Sequence, residues 1–391
     1  MTTKQTTLAG LALASSLMLV NGCGGSGDGS SDAGSAPAVS GSVFAINSFV
    51  TPGFGTDTNT LQGFTIASTG TPTAASSLNL GTLNGGAHIT AVPHGRFLFS
   101  VQDDTFGNGI PSIKGFVANP FTGTLASTCP AVQLPASRLP LNQPALVPSE
   151  TLIYVTSRTF FDIYQVDTNG CPKHSLTIPA GAPVIASIAS PDGKYLFTLY
   201  QLPPDPTANI VQSSLINATT GDLTQINTLQ SVTNANGIRI QAHPTGRFLY
   251  VSSRNDLGNP GDGVIQSIQV DATGKLSASL APTPGELQDF AIHPAGAFLY
   301  GVSNGSKLLE GYRIDPTTGN LTHLSKIDAS NTTFVSNAHL AFSPDGTFLC
   351  VGDSHALVVY QVGSDGVLTL VPDAGVPTLP SAEWEDIVVT Q

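Results

Sequence analysis

From residue 42 to the end of the chain, apolar residues come in short runs separated by Gly, Pro, Asn, Asp and Ser, a pattern of strands and tight turns. One phrase recurs as Pro93-His94-Gly95-Arg96-Phe97-Leu98-Phe99, Pro191-Asp192-Gly193-Lys194-Tyr195-Leu196-Phe197 and Pro244-Thr245-Gly246-Arg247-Phe248-Leu249-Tyr250. It returns as Pro294-Ala295-Gly296-Ala297-Phe298-Leu299-Tyr300 and Pro344-Asp345-Gly346-Thr347-Phe348-Leu349-Cys350, with Pro148-Ser149-Glu150-Thr151-Leu152-Ile153-Tyr154 a degenerate copy. The prolines lie 55, 43, 53, 50 and 50 residues apart. In each copy Pro fixes φ, Gly accepts a positive φ, and an aromatic-rich strand follows. A short apolar strand precedes each turn. About 20 residues later a second turn appears in Asn119-Pro120-Phe121-Thr122-Gly123, Asp271-Ala272-Thr273-Gly274 and Asp315-Pro316-Thr317-Thr318-Gly319.

One period is therefore four strands, a to d, in about 50 residues, which is a β-propeller blade. An inner strand precedes each of the six prolines, and a seventh, residues 385–390, ends the chain. A second strand follows each of the six turns, and a seventh, residues 42–47, begins the fold. The expected architecture is an all-β, seven-bladed propeller of four-stranded blades over residues 42–391. Its C-terminal strand should pair with the N-terminal one, closing the ring and removing two exposed edges.

Composition supports this reading and narrows the partners. Only 10% of the 391 residues are charged, against roughly 25% in typical soluble domains. With 41 Gly and 28 Pro, long helices are disfavoured, and Ser, Thr, Asn and Gln supply the polarity. A net charge of −12 argues against nucleic acid, whose binding needs a basic footprint.

The first 41 residues have a different character. Lys4 precedes an apolar run from Leu8 to Val20 that suits a signal-peptide core and is too short for a transmembrane helix. The run ends in Val20-Asn21-Gly22-Cys23, which resembles the lipobox of bacterial lipoproteins; that resemblance implies cleavage after residue 22 and lipidation of Cys23. Residues 24–41, rich in Gly, Ser and Asp, read as a flexible tether. The expectation is an exported protein, attached to the cell envelope through its lipid anchor only.

The phrases Gly246-Arg247-Phe248-Leu249-Tyr250-Val251-Ser252-Ser253-Arg254, Gln288-Asp289-Phe290-Ala291-Ile292-His293-Pro294 and Asp315-Pro316-Thr317-Thr318-Gly319-Asn320-Leu321 resemble the seven-bladed lactonase family, which includes 6-phosphogluconolactonases and a fungal muconate-cycloisomerase branch. The resemblance covers roughly residues 42–391 and implies the propeller scaffold and lactonase activity. The family's catalytic set does not carry over. Its Asp-Leu-Gly-x-Asp-Arg stretch corresponds to Gln201-Leu202-Pro203-Pro204-Asp205-Pro206, its Asn-Glu to Ser253-Arg254 and its Asn-Arg to Ser303-Asn304. Its Pro-Arg-Asp-Phe stands here as Leu287-Gln288-Asp289-Phe290.

The residues themselves still suggest a site. Five positions before each turn proline, where strand a should start, stand His88, Gln143, Ala186, Arg239, Asp289 and His339, with Asp386 in the closing blade. Two residues further in the set is mostly small: Thr90, Ala145, Ile188, Gln241, Ala291, Ala341 and Val388. The alternate positions, such as Ile89, Ile240, Phe290, Leu340 and Ile387, are apolar. Period-two alternation would bury that set between blades and leave a polar ring at one mouth of the channel. Exits from the second strands add Asp103, Asp104, Arg158, Arg254, Asp256, Asp353 and His355 on the same face.

Such a mouth could polarise a lactone carbonyl and activate water. Arg239 or Arg254 would hold an anion or oxyanion, and His88, His339 or Asp289 would act as base. Gln143, Asp256, Asp386 and His355 are candidate ligand contacts. The competing expectation is that polar strand starts simply meet solvent, or that the face holds a glycan, peptide or protein partner without chemistry. His243 and His293, before their prolines, read as turn packing; Asp192 and Asp345 read as turn residues, and Trp384 as part of the closing latch. Cys350 reads as core, while Cys129 and Cys171 follow outer turns of neighbouring blades and could form a disulfide. His and Cys spacings match no zinc motif and no glycine loop cradles phosphate, so no metal or cofactor is expected. The chain is expected to be a monomer.

Overall fold

A computed structural model describes residues 39–49, 58–82, 87–92, 95–102, 110–135, 137, 141–202, 209–230, 236–254, 263–278, 282–285, 287–303, 308–328, 338–352, 356–372, 376–377 and 382–390. These form seven antiparallel sheets. Blade 1 joins both ends of the fold: Ala382–Thr390 is its inner strand, followed outward by Val39–Phe49, Thr58–Ala67 and Pro72–Thr82. Ser42 pairs with Thr390 and Phe49 with Ala382, so the expected C-terminal closure is present. The inner strands of blades 2 to 7 are Ala87–Ala91, Ala145–Leu146, Val184–Ala189, Asn236–Ala242, Asp289–Ile292 and His339–Phe342. In blades 2, 5 and 7 the fourth strand is broken into two short segments, both paired to the third strand.

The Pro-x-Gly turns form because each local demand is met by sequence. Gly193, Gly246, Gly296 and Gly346 take φ between +70° and +74°, and the N–H of Gly296 donates to His293 O at 2.7 Å, closing the turn. In the degenerate copy Glu150 fills the glycine position at φ 54°, the one positive-φ residue other than glycine among those described. Its carboxylate accepts the Phe97 N–H of blade 2 at 2.9 Å, an anchor across the blade boundary.

There is no single core. Seven buried apolar clusters each fill the wedge between two neighbouring blades. Cys350 lies in the wedge that closes the ring, beside Val43 and Ile387, and burial pushes its thiol up to about 12. Polar latches repeat outside these wedges: the hydroxyls of Tyr154, Tyr250 and Tyr300 donate to Gly221 O, Gly319 O and Gly366 O in the next blade at 2.8, 2.9 and 2.6 Å. The aromatic that ends the Phe-Leu-Tyr phrase therefore packs a wedge and ties the following hairpin. Asp315 shows how those hairpins are fixed, its Oδ1 accepting the N–H groups of Thr317 and Thr318 at 2.8 Å.

Candidate functional site at the channel mouth

In blades 2 to 7 the inner strand runs from one rim of the central channel toward a turn proline at the other. Alternation works as the sequence implies: Ile89, Ile240, Phe290, Leu340 and Ile387 are buried in the wedges, while Thr90, Ile188, Gln241, Ala291 and Ala341 line the channel. Blade 3 departs from it. Its inner strand is reduced to Ala145–Leu146, Gln143 precedes the strand, and Ala145 and Leu146 are both buried, Ala145 in the wedge toward blade 4 and Leu146 in the wedge toward blade 2. The cavity is about 760 Å³ and open to solvent, and His88, Gln143, Arg239 and Gln241 give it polar walls.

Three of the ring positions meet. Asp289 opens the inner strand of blade 6 and is buried between its neighbours. Arg239 of blade 5 brings Nε to 2.8 Å from Oδ1, and His339 of blade 7 brings Nδ1 to 3.2 Å from Oδ2. Backbone completes the cradle: Phe290 N–H donates to Oδ1 at 2.8 Å and Leu340 N–H to Oδ2 at 3.1 Å. Burial alone would raise this carboxyl, but the Arg239 charge, the His339 contact and the Leu340 N–H outweigh it and hold it below the usual carboxylate range. The carboxylate is only 3% exposed, whereas Arg239 and His339 are 18% and 20% exposed. An ionised group thus lies beneath two side chains that reach toward open space.

A β-bulge helps to aim Arg239. The pairing of Asn236–Ala242 with Phe248–Arg254 slips between Gly237 and Arg239, leaving Ile238 as the extra residue. Like slips precede Ala186 in blade 4 and Asp386 in blade 1. Across the channel, Gln143 Nε2 donates to Ile89 O of blade 2 at 3.4 Å. Asn142 of blade 3 donates from Nδ2 to Val184 O of blade 4 at 3.2 Å. Asn142 was not singled out from the sequence, although it stands beside Gln143. The two backbone donors to Asp289 leave no sequence signal, because every residue but proline carries an N–H.

The other candidates are placed as follows. Arg254 pairs with Asn236 and Asp386 with Ile46 through the backbone, and their side chains lie outside what is described. Arg158 is exposed. Cys23, Asp103, Asp104, Asp256, Asp353 and His355 lie outside the described residues, as does the side chain of Trp384. Among the described residues no group of three or more His, Cys, Asp or Glu is arranged to hold a metal ion.

His243 and His293 serve the opposite rim, where turn packing was expected. Nε2 of His243 lies 2.9 Å from Gly296 O and Nε2 of His293 lies 3.1 Å from Gly346 O, each linking one proline turn to the next. Burial lowers both imidazoles from their ordinary value, and the carbonyl contact offsets this only in part.

Comparison with known proteins agrees with this architecture. Residues 163–337 match the model of the lactonase, seven-bladed β-propeller family, a span that includes Arg239 and Asp289 and stops just short of His339. The 6-phosphogluconolactonase of Pectobacterium carotovorum is 28% identical over 158 residues, covering 39% of this chain and 44% of that protein. A 6-phosphogluconolactonase-like protein of Arthroderma benhamiae is 24% identical over 158 residues, covering 40% of this chain and 38% of its own length. The chain therefore spans well under half the length of the curated relatives it matches. The crystal structure of a 6-phosphogluconolactonase-like protein from Bacteroides fragilis superposes with a TM-score of 0.67 at 16% identity, over 90% of this chain and 98% of the other. The superposition shows the seven-bladed propeller fold, and within it residues 163–337 are similar to the lactonase, seven-bladed β-propeller family and to 6-phosphogluconolactonases.

Proposed function

We propose that the channel mouth hydrolyses a lactone. The observation that carries this reading is the meeting of Arg239, Asp289 and His339 from three consecutive blades, with Arg239 lining a cavity of about 760 Å³. Asp289 accepts from Nδ1 of His339, which puts the imidazole lone pair on Nε2. Both oxygens of Asp289 are engaged, so it orients the base and His339 takes the proton. Water, deprotonated by Nε2, attacks the lactone carbonyl; the Arg239 guanidinium stabilises the oxyanion; the ring C–O bond breaks, and the imidazolium returns its proton to the departing oxygen. The product is a hydroxy acid. His88 and Gln143 stand on the far wall, where they can contact the hydroxyls of a sugar lactone.

The lipobox resemblance at Cys23 and the tether behind it support an envelope location, in which an unphosphorylated lactone suits the site better than a phosphorylated cytoplasmic sugar acid. A second reading rests on the same carboxylate. Contacts from blades 5 and 7 converge on Asp289, an arrangement that also serves a non-catalytic propeller binding a glycan, peptide or protein partner.

Turnover of a lactone panel by the purified chain and by His339→Gln separates the two. General-base catalysis typically contributes 10²–10⁴-fold, so the variant should lose roughly 100-fold or more in kcat while still binding substrate. Lactone binding by calorimetry with no turnover in either protein would favour the binding module.

A further inference from the structure

At the outer rim, blades 2 and 3 meet around Thr128. Its N–H donates to Gly115 O of its own blade at 3.0 Å, and its hydroxyl donates to Gly170 O of blade 3 at 3.0 Å. The Thr128 carbonyl accepts from the Cys171 thiol at 3.6 Å. Cys129 follows directly, with Sγ 3.4 Å from Thr128 Oγ1. The two sulfurs therefore both contact Thr128, and the nearby Cys129 thiol, with burial, pushes Cys171 up to about 11. Both are half-buried and hold free thiols in this structure.

Cys129 lies in the break of the fourth strand of blade 2, between Leu125–Ser127 and Val132–Gln133. Cys171 ends the hairpin that the Asp167 carboxylate shapes, accepting the Asn169 and Cys171 N–H groups at 2.8 and 2.9 Å. Ser127 Oγ donates to Cys129 O at 3.1 Å, so both backbones are held by hydrogen bonds while the two sulfurs meet at Thr128 on the blade boundary. A bond between them would close a loop of about 40 residues, long enough for a clear entropic effect on the unfolded chain.

We propose that Cys129 and Cys171 are an oxidation site, forming a disulfide that clips blade 2 to blade 3 when the chain meets an oxidising compartment. The oxidant is a disulfide of low molecular mass or of an exchange catalyst. One thiolate displaces a thiol from it to give a mixed disulfide; the second cysteine then attacks that bond and releases the second thiol. Two electrons and two protons leave the cysteine pair and reduce one disulfide to two thiols.

The test uses the full chain, equilibrated with oxidised glutathione and then denatured and alkylated without reductant. Peptide mapping should show the Cys129 and Cys171 peptides joined, with Cys350 alkylated. The oxidised chain should unfold about 5 °C above the chain held in dithiothreitol, the size expected for a loop of this length in a protein this large. In Cys129→Ser that redox-dependent difference should vanish, whatever the absolute stability of the variant. Full alkylation of both residues, linkage of either to Cys23 or glutathione alone, or an undiminished redox shift in Cys129→Ser would each overturn the proposal.

Discussion

The two rims of the channel use histidine in opposite ways. At the turn rim, His243 and His293 reach a backbone carbonyl of the next blade, and burial keeps both neutral to lower pH than an ordinary imidazole. At the strand-start rim, His339 reaches a carboxylate on the preceding blade, and Arg239 shares that carboxylate from the other side. Geometry is similar, since each histidine bridges two blades within hydrogen-bond reach. The partner is what differs. A carbonyl accepts a hydrogen bond and carries no charge, whereas an ionised carboxylate fixes the tautomer and supports a positive imidazole as it forms. Both rims tie blade to blade; only the second does so through an ionised carboxylate, the feature on which the proposed proton transfer rests.

This contrast can be broken at three positions, and the strongest is Asp289. Replacing it by Ala leaves a half-buried guanidinium and two backbone donors without their acceptor, and should cost about 3–5 kcal/mol in urea unfolding. Asp289→Asn should cost less while abolishing turnover; an Ala variant as stable as the parent would remove the buried ion pair from the account. Next comes Gly296→Ala at the turn rim. Gly296 sits at φ +73°, and a Cβ there would stand 2.4 Å from His243 Nε2, so a loss of roughly 1–3 kcal/mol is expected with lactone turnover retained. Should turnover fall in step with stability, the rims are not separable.

A smaller effect follows from His243→Gln, about 1 kcal/mol at pH 7.5, the usual scale of one hydrogen bond. Its better readout is pH. A buried histidine with a lowered folded-state value contributes stability that is present above about pH 6.5 and lost as pH falls toward that lower value. The melting temperature of the parent should therefore drop on acidification from pH 7, less steeply in His243→Gln. Asp289, also lowered, acts in a different window: its contribution persists above about pH 4 and is lost as pH falls through its depressed value. Asp289→Asn should lack that last acid-sensitive step, and equal acid profiles in parent and variant would sink the assignment.

Much of this was legible in the sequence. The six copies of the Pro-x-Gly-aromatic phrase, one degenerate, placed six inner and six second strands; residues 385–390 and 42–47 supplied the seventh of each, and their pairing followed from the count. Arg239, Asp289 and His339 were singled out by one rule, five residues before a turn proline. The rule misses in blade 3, where Gln143 precedes a strand of only two residues; Pro144, which brings no N–H to the ladder, was the local signal that regular pairing stops there. The rule also could not show that Asp289 lies beneath its neighbours instead of at the solvent edge. The glycine carbonyls that receive Tyr154, Tyr250 and Tyr300 were equally invisible, since an acceptor on the backbone has no residue type.

Turns, alternation and period are local properties: φ preferences act over four residues and the pleat over two, so the chain alone determined seven blades, their order and the closing strand. Contacts between blades sum strand twist, bulges such as the one before Arg239, and the packing of seven apolar wedges. Only that sum brought three side chains fifty residues apart onto one buried carboxylate, and only it separated the rim tied through neutral carbonyls from the rim tied through an ionised carboxylate.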